Sequence, residues 1–93
     1  MLAGIAQWQL HLEGCHSLKD KRSVIKPLLS HLRQRCNVSA AETGRQDQWQ
    51  ESEIACAAVG SDRRIIEETL RMADRLVEEA DGVRIMDSAT VYR

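Results

Sequence analysis

A chain of 93 residues is expected to make one domain without room for a second; it is long enough to bury on the order of 60–65% of the surface its unfolded form exposes. Cys15, Cys36 and Cys56, an odd number at wide spacings, exclude a disulfide framework and are expected as free thiols in a reducing compartment. The net charge of −1 conceals a division: Leu18 to Cys36 carries Lys19, Lys21, Arg22, Lys26, Arg33 and Arg35 against Asp20 alone, so the acidic excess lies elsewhere, mostly from Asp62 to Asp81 and at Glu42, Glu51 and Glu53.

Met1 to Ala6 lacks the basic and apolar regions of a secretion signal, Gln7 and Gln9 interrupt it early, and no run approaches membrane-spanning length. A cytoplasmic protein without membrane contact is the expectation. From Ala3 to Glu13 apolar and polar residues alternate, with Ala6, Trp8, Leu10 and Leu12 on one face and Gln7, Gln9, His11 and Glu13 on the other. That is a half-buried strand. Gly14-Cys15-His16 ends it. Ser17 offers an N-cap oxygen, with Asp20 three residues on as a weaker capping box. Leu18, Val24, Ile25, Leu28, Leu29 and Leu32 then share one helical face through about Arg35. Pro27 lies inside that helix and removes the bond to the Ser23 carbonyl, so the expectation is a kink near Ser23 within one helix.

Asn37 to Thr43 reads as a second strand and Trp49 to Val59 as a third, with Ile54, Cys56 and Ala58 inward and Ala55 and Ala57 outward. Between them the polar stretch from Ala41 to Gln50 reads as a hairpin tip. Gly44 suits the left-handed backbone of a tight reversal, and Gln46 and Asp47 have side chains that hydrogen-bond nearby backbone groups. A plain solubilising turn would not need Trp49, one of three aromatics in the chain. Ser61 or Asp62 caps a second helix whose buried stripe is Ile65, Ile66, Leu70, Ala73, Leu76 and Val77, ending near Ala80. Asp81-Gly82 turns into a last strand from Val83 to Tyr92 whose inward parity is ambiguous, because Val83, Ile85, Ala89 and Val91 compete with Met86 and Tyr92.

The order strand, helix, strand, strand, helix, strand predicts an α+β, ferredoxin-like βαββαβ domain over residues 1–93, a four-stranded antiparallel sheet with both helices on one face. That topology places the Gly14 to Ser17 loop, the hairpin at Gly44 to Gln48 and the Asp81-Gly82 turn at one end of the sheet. The start of the first helix points there too, bringing Lys19, Lys21 and Arg22 beside Arg45. Unpaired helix N–H groups and basic side chains together make a candidate anion site.

Gly14 to Arg22 (Gly-Cys-His-Ser-Leu-Lys-Asp-Lys-Arg), the Leu28-Leu29 to Ser39 stretch, and above all Glu42-Thr43-Gly44-Arg45-Gln46-Asp47-Gln48-Trp49-Gln50 resemble the YlxP-like family, a bacterial domain of unknown function (domain 503). The resemblance covers essentially the full chain and implies a ferredoxin-like fold. It implies no activity. Some members are encoded beside translation and ribosome-maturation factors, so it implies a place near the ribosome. The chain departs from the family's commoner pattern at Pro27 and Arg45.

Sharper chemistries fit poorly. Cys15 and Cys36 stand at opposite ends of a helix of roughly 25 Å and Cys56 is mid-strand, so no metal site and no cofactor is expected. His11, His16 and Cys15 approach one another without a third group to orient a base. Asp47 is expected to stabilise its own turn and Glu42 to pair with Arg45, which leaves no carboxylate catalysis. Recognition of RNA through the open sheet face needs outward aromatics on the first and third strands, but Trp8 points inward and Ala55 and Ala57 take the outward places.

The expectation is therefore a non-enzymatic binding module whose site comprises Lys19, Lys21, Arg22, Arg45, Gln46, Asp47 and Trp49. Its partner would be the ribosome, RNA phosphates or a translation-related protein, with Glu42, Glu51 and Glu53 opposing a polyanion. A small anionic-ligand sensor on the same helix start is the second expectation. The outward face, with Ala41, Ala55, Ala57 and Trp49, is flat enough to make a homodimer through the open sheet a third.

Overall fold

A computed structural model describes residues 1–93. β1 (Leu2–His11), α1 (Leu18–Arg35), β2 (Ser39–Gly44), β3 (Glu51–Gly60), α2 (Arg63–Glu78) and β4 (Arg84–Tyr92) follow in the expected order. The strands form one antiparallel sheet in the order β2-β3-β1-β4, the ferredoxin-like arrangement. Both helices cover one face. Ala6, Trp8, Leu10, Ala40, Ile54, Cys56 and Ala58 from the sheet are buried against Ile25, Leu28, Leu29 and Leu32 of α1 and Ile66, Leu70, Ala73 and Val77 of α2. Ile65 departs from the expected stripe: it is 62% exposed.

Local chemistry sets the helix ends. Ser17 Oγ accepts from the Asp20 N–H at 3.0 Å, and Asp20 Oδ2 accepts from the His16 N–H at 3.0 Å, one residue earlier than in a standard capping box. Asp62, rather than Ser61, caps α2 by accepting from the Arg64 N–H. α1 runs without interruption through Pro27, which lies on its exposed side. Trp8 is 1% exposed, yet its indole N–H donates to Asp74 Oδ1 of α2 at 2.8 Å. The bond satisfies a buried donor and ties sheet to helix.

The ambiguity of β4 has a structural cause. Val91 and Ala89 pair with Ile5 and Gln7 on the open face, and Tyr92, Thr90 and Ser88 pair with Gly4, Ala6 and Trp8 on the helix face. A bulge between the Gln9 and Leu10 pairings then shifts the register, so that Leu10 meets Ile85 and Met86 is the extra residue. The bulge reverses the parity midway, so no single alternation describes the strand. On the open face, Ile5, Ala55, Ala57 and Ala41 sit among Gln7, Gln9, Glu53 and Asp87. Trp49 lies in the hairpin connection, outside these strand rows.

Candidate functional site at the hairpin tip

β1 ends beside the start of β3 and of β4, with His11 paired to both Glu51 and Arg84, and the Leu12 N–H donates to Gln50 O. Gln50 Nε2 donates to Cys15 O at 3.2 Å. The β1–α1 loop, the hairpin and the entry to β4 therefore share one end of the sheet, and α1 begins among them.

Lys21 holds this end together. Its side chain turns inward, the residue is 3% exposed, and Nζ donates to Arg45 O at 2.6 Å, Gln48 O at 2.8 Å and Glu51 O at 3.0 Å. Glu42 Oε2 lies 2.9 Å from the same nitrogen and accepts from Ser52 Oγ at 2.6 Å. Burying an ammonium ion costs several kcal/mol, which only nearly complete ligation offsets. Here three carbonyls and a carboxylate supply it. Lys21 is thus corrected as an anion-binding residue: its donors are consumed inside the fold. Glu42 is corrected likewise, since it pairs with Lys21 and Ser52, and Arg45 pairs instead with Glu51 at 3.2 Å.

The reversal is also built differently from expectation. Arg45 takes the left-handed conformation with φ 59°, and Gly44 closes β2, where an added Cβ would lie 3.0 Å from Glu53 Oε2. The Gln48 N–H donates to Arg45 O at 3.1 Å and Gln46 Nε2 reaches Glu42 O at 3.4 Å. The Asp47 side chain makes no hydrogen bond, contrary to the expectation that it braces its own turn. A left-handed non-glycine residue costs roughly 1–2 kcal/mol, held here by the Lys21 contact to its carbonyl.

Around this pinned backbone the side chains of Arg45, Gln46 and Asp47 are exposed, and Trp49 is 54% exposed. Lys19 and Arg22 are exposed on the first turns of α1, and neither they nor Lys26 joins an ion pair. The neighbouring carboxylates are engaged. Glu51 meets Arg45, and Glu53 accepts from Gln9 Nε2 and Thr43 Oγ1 at 2.7 Å each, bonds that hold its carboxyl below the usual carboxylate range. Cys15 is buried, and burial, reinforced by the Asp20 carboxylate and opposed by Lys21, pushes its thiol up. A thiol so held is a poor nucleophile.

Two signals in the sequence mark what the linear reading missed. Lys21 falls at the helical spacing of Leu18, Ile25, Leu28 and Leu32, on the buried stripe of α1. Ser52, 0% exposed, shares the inward parity of Ile54 and Cys56. A lysine and a serine on two buried faces of one end identify a polar cluster.

The sequence matches the protein family described as "protein of unknown function (DUF503)" over residues 3–90. The chain belongs to this family. Within it, the uncharacterized protein YlxP of Bacillus subtilis (strain 168) is 37% identical over 70 residues, covering 75% of this chain and 76% of that protein. No helix of this DUF503 protein is long and apolar enough to cross a membrane.

Proposed function

We propose that this DUF503 protein is a non-enzymatic binding module that captures single-stranded RNA at or near the ribosome through the hairpin tip and the first turns of α1. The observation that carries this reading is the combination of a backbone pinned from beneath by Lys21 and a tryptophan left 54% exposed above it. A rigid loop presenting an aromatic ring loses little entropy on binding. Trp49 would stack on an unpaired base, Lys19, Arg22 and Arg45 would meet phosphates, and Gln46 and Asp47 would contact base edges. Of the nearby carboxylates, Glu42 is held by Lys21 and Ser52, and Glu53 by Gln9 and Thr43, which favours the same reading, while Arg45 has to exchange Glu51 for a phosphate.

The small-anion reading is weaker. Asp20 already places a carboxylate at the start of α1, bonded to the His16 N–H, where a free anion would have to sit.

The two tryptophans give a direct test, since Trp8 is buried and Trp49 is not. Titration with a short uridine oligonucleotide should quench Trp49 emission at low salt, with the effect fading as salt rises. Absence of quenching for several RNA sequences at low salt would overturn RNA as the partner.

A further inference from the structure

The two edges of the sheet differ. On β2, the guanidinium of Arg33 donates from Nε and Nη2 to Ala40 O at 3.2 and 2.7 Å, closing that edge with a side chain of α1. On β4 the edge is open. Arg93 and Ala3 exchange both backbone hydrogen bonds, at 2.9 and 2.8 Å, so by the alternation of an antiparallel ladder Val91, Ala89 and Asp87 also bond to β1. The N–H and C=O groups of Tyr92, Thr90 and Ser88 therefore face away from the sheet. The Ser88 N–H, capped at 2.9 Å by Asp87 Oδ1, confirms that direction. Thr90 and Tyr92 have no such cap, and an edge of this kind is a template for another strand.

We infer that β4 pairs with β4 of a second copy, antiparallel about a two-fold axis at Thr90, to give a continuous eight-stranded sheet. Outward-facing residues must meet outward-facing residues, which restricts the axis to a whole residue position. Chemistry then selects Thr90. That register sets Thr90 against Thr90 and Ser88 against Tyr92 as hydrogen-bonded pairs, Ala89 against Val91, and Asp87 against Arg93 of the second copy on each side of the axis, with the Ser88 N–H exchanging Asp87 Oδ1 for the facing Tyr92 carbonyl and so releasing that carboxylate to Arg93. Opposite charges meet twice. Moving the axis to Ala89 would set Asp87 against Val91 and forfeit both ion pairs.

The helix layer agrees with the same symmetry. Beside β4 runs a groove of about 310 Å³ floored by Ala6, Trp8 and Leu70 and walled by Glu67, Arg71 and Asp74 of α2. Arg63, whose guanidinium stacks 4.2 Å over the Tyr92 ring, begins a run of alternating sign along this side: Arg63, Glu67, Arg71, Asp74. A two-fold axis reverses the order in the second copy, so the two runs offer unlike charges to one another across the joined grooves; Arg63 already pairs with Glu67 at 2.9 Å and Asp74 accepts from Trp8, which leaves Arg71 as the charge of the run with no side-chain partner in its own copy. The open face of the sheet, interrupted by Gln7, Gln9, Glu53 and Asp87, offers no such match.

Sedimentation equilibrium over a range of concentrations tests this pairing, independently of any RNA binding. The wild-type chain should reach twice its 10.5 kDa mass. Thr90→Pro removes an N–H that β1 does not use, so it should give a folded monomer with an unchanged circular dichroism spectrum. Asp87→Arg and Arg93→Asp should each weaken the dimer by about tenfold or more, and an equal mixture of the two variants should restore it, since in the mixed dimer one ion pair re-forms with reversed sign and the other as in the wild type. A wild-type monomer at every concentration, a dimeric Thr90→Pro variant, or a mixture no stronger than its components would overturn the inference.

Discussion

The Lys21 ammonium and the Glu42 carboxylate meet at 2.9 Å beneath the hairpin, with side chains 4% and 20% exposed. They join the first turn of α1 to the end of β2, elements whose pairing the sheet hydrogen bonds do not enforce. Because the ammonium also holds the carbonyls of Arg45, Gln48 and Glu51, one side chain sets the shape of the loop.

Lys21→Met should destabilise the fold by about 3–5 kcal/mol, because it leaves the Glu42 charge with only the Ser52 hydroxyl and takes the ammonium from three carbonyls, of which Arg45 O keeps the Gln48 N–H. Lys21→Met combined with Glu42→Gln should cost less than the single change, since no buried charge is then left alone. Urea unfolding measures both, and hydrogen exchange should show the 45–51 amides losing protection in the single variant.

Arg45→Gly separates stability from capture. Glycine adopts the φ of 59° without steric penalty, so stability should be unchanged or raised by up to about 1 kcal/mol. The ion pair with Glu51 and the exposed guanidinium disappear, and RNA quenching of Trp49 should weaken. Thermal melting and the oligonucleotide titration check the two halves.

Gly4→Ala should destabilise the protein by roughly 1–3 kcal/mol through overpacking. The new Cβ would lie 2.6 Å from Ile66 Cγ2 and 2.8 Å from Leu70 Cδ1, inside the β1–α2 contact. Chemical denaturation reads the change.

The acid and alkaline limbs of stability should have identifiable owners. Glu53 is held below its ordinary value of 4.5, chiefly by the Gln9 bond and then by Thr43, so its contribution is present above that pH and is lost as pH falls through the depressed value. Glu53→Gln should flatten the acid limb. Burial, and then Cys36, push the Cys56 thiol from 9.0 to about 11, so its contribution is present below pH 9.0 and declines as pH rises toward 11. Cys56→Ala should reduce that alkaline slope. Melting temperature across pH checks both variants.

The six elements were legible because period-two and helical spacings carry them: Ala6, Trp8, Leu10 for β1, and Ile66, Leu70, Ala73, Val77 for α2. The parity of β4 was not, because the bulge at Met86 inserts one residue and inverts the alternation. At the hairpin, charge alone put Lys21 with Lys19 and Arg22, although its position on the stripe of Leu18 and Ile25 marked it as inward. Which carboxylate answers it depends on the pairing of β2 with β3, a long-range fact that no local pattern encodes. Arg45 rather than Gly44 took the left-handed turn because the register near Glu42 and Gly44 is itself irregular, moving the reversal on by one residue.

Co-sedimentation with purified ribosomal subunits tests the hairpin reading most directly. The protein should pellet with a subunit at low salt and be released as salt rises, and the Lys19→Glu, Arg22→Glu pair and Trp49→Ala should each abolish pelleting while the fold still melts at the wild-type temperature. Failure to pellet at low salt, or pelleting that persists in all these variants, would contradict it.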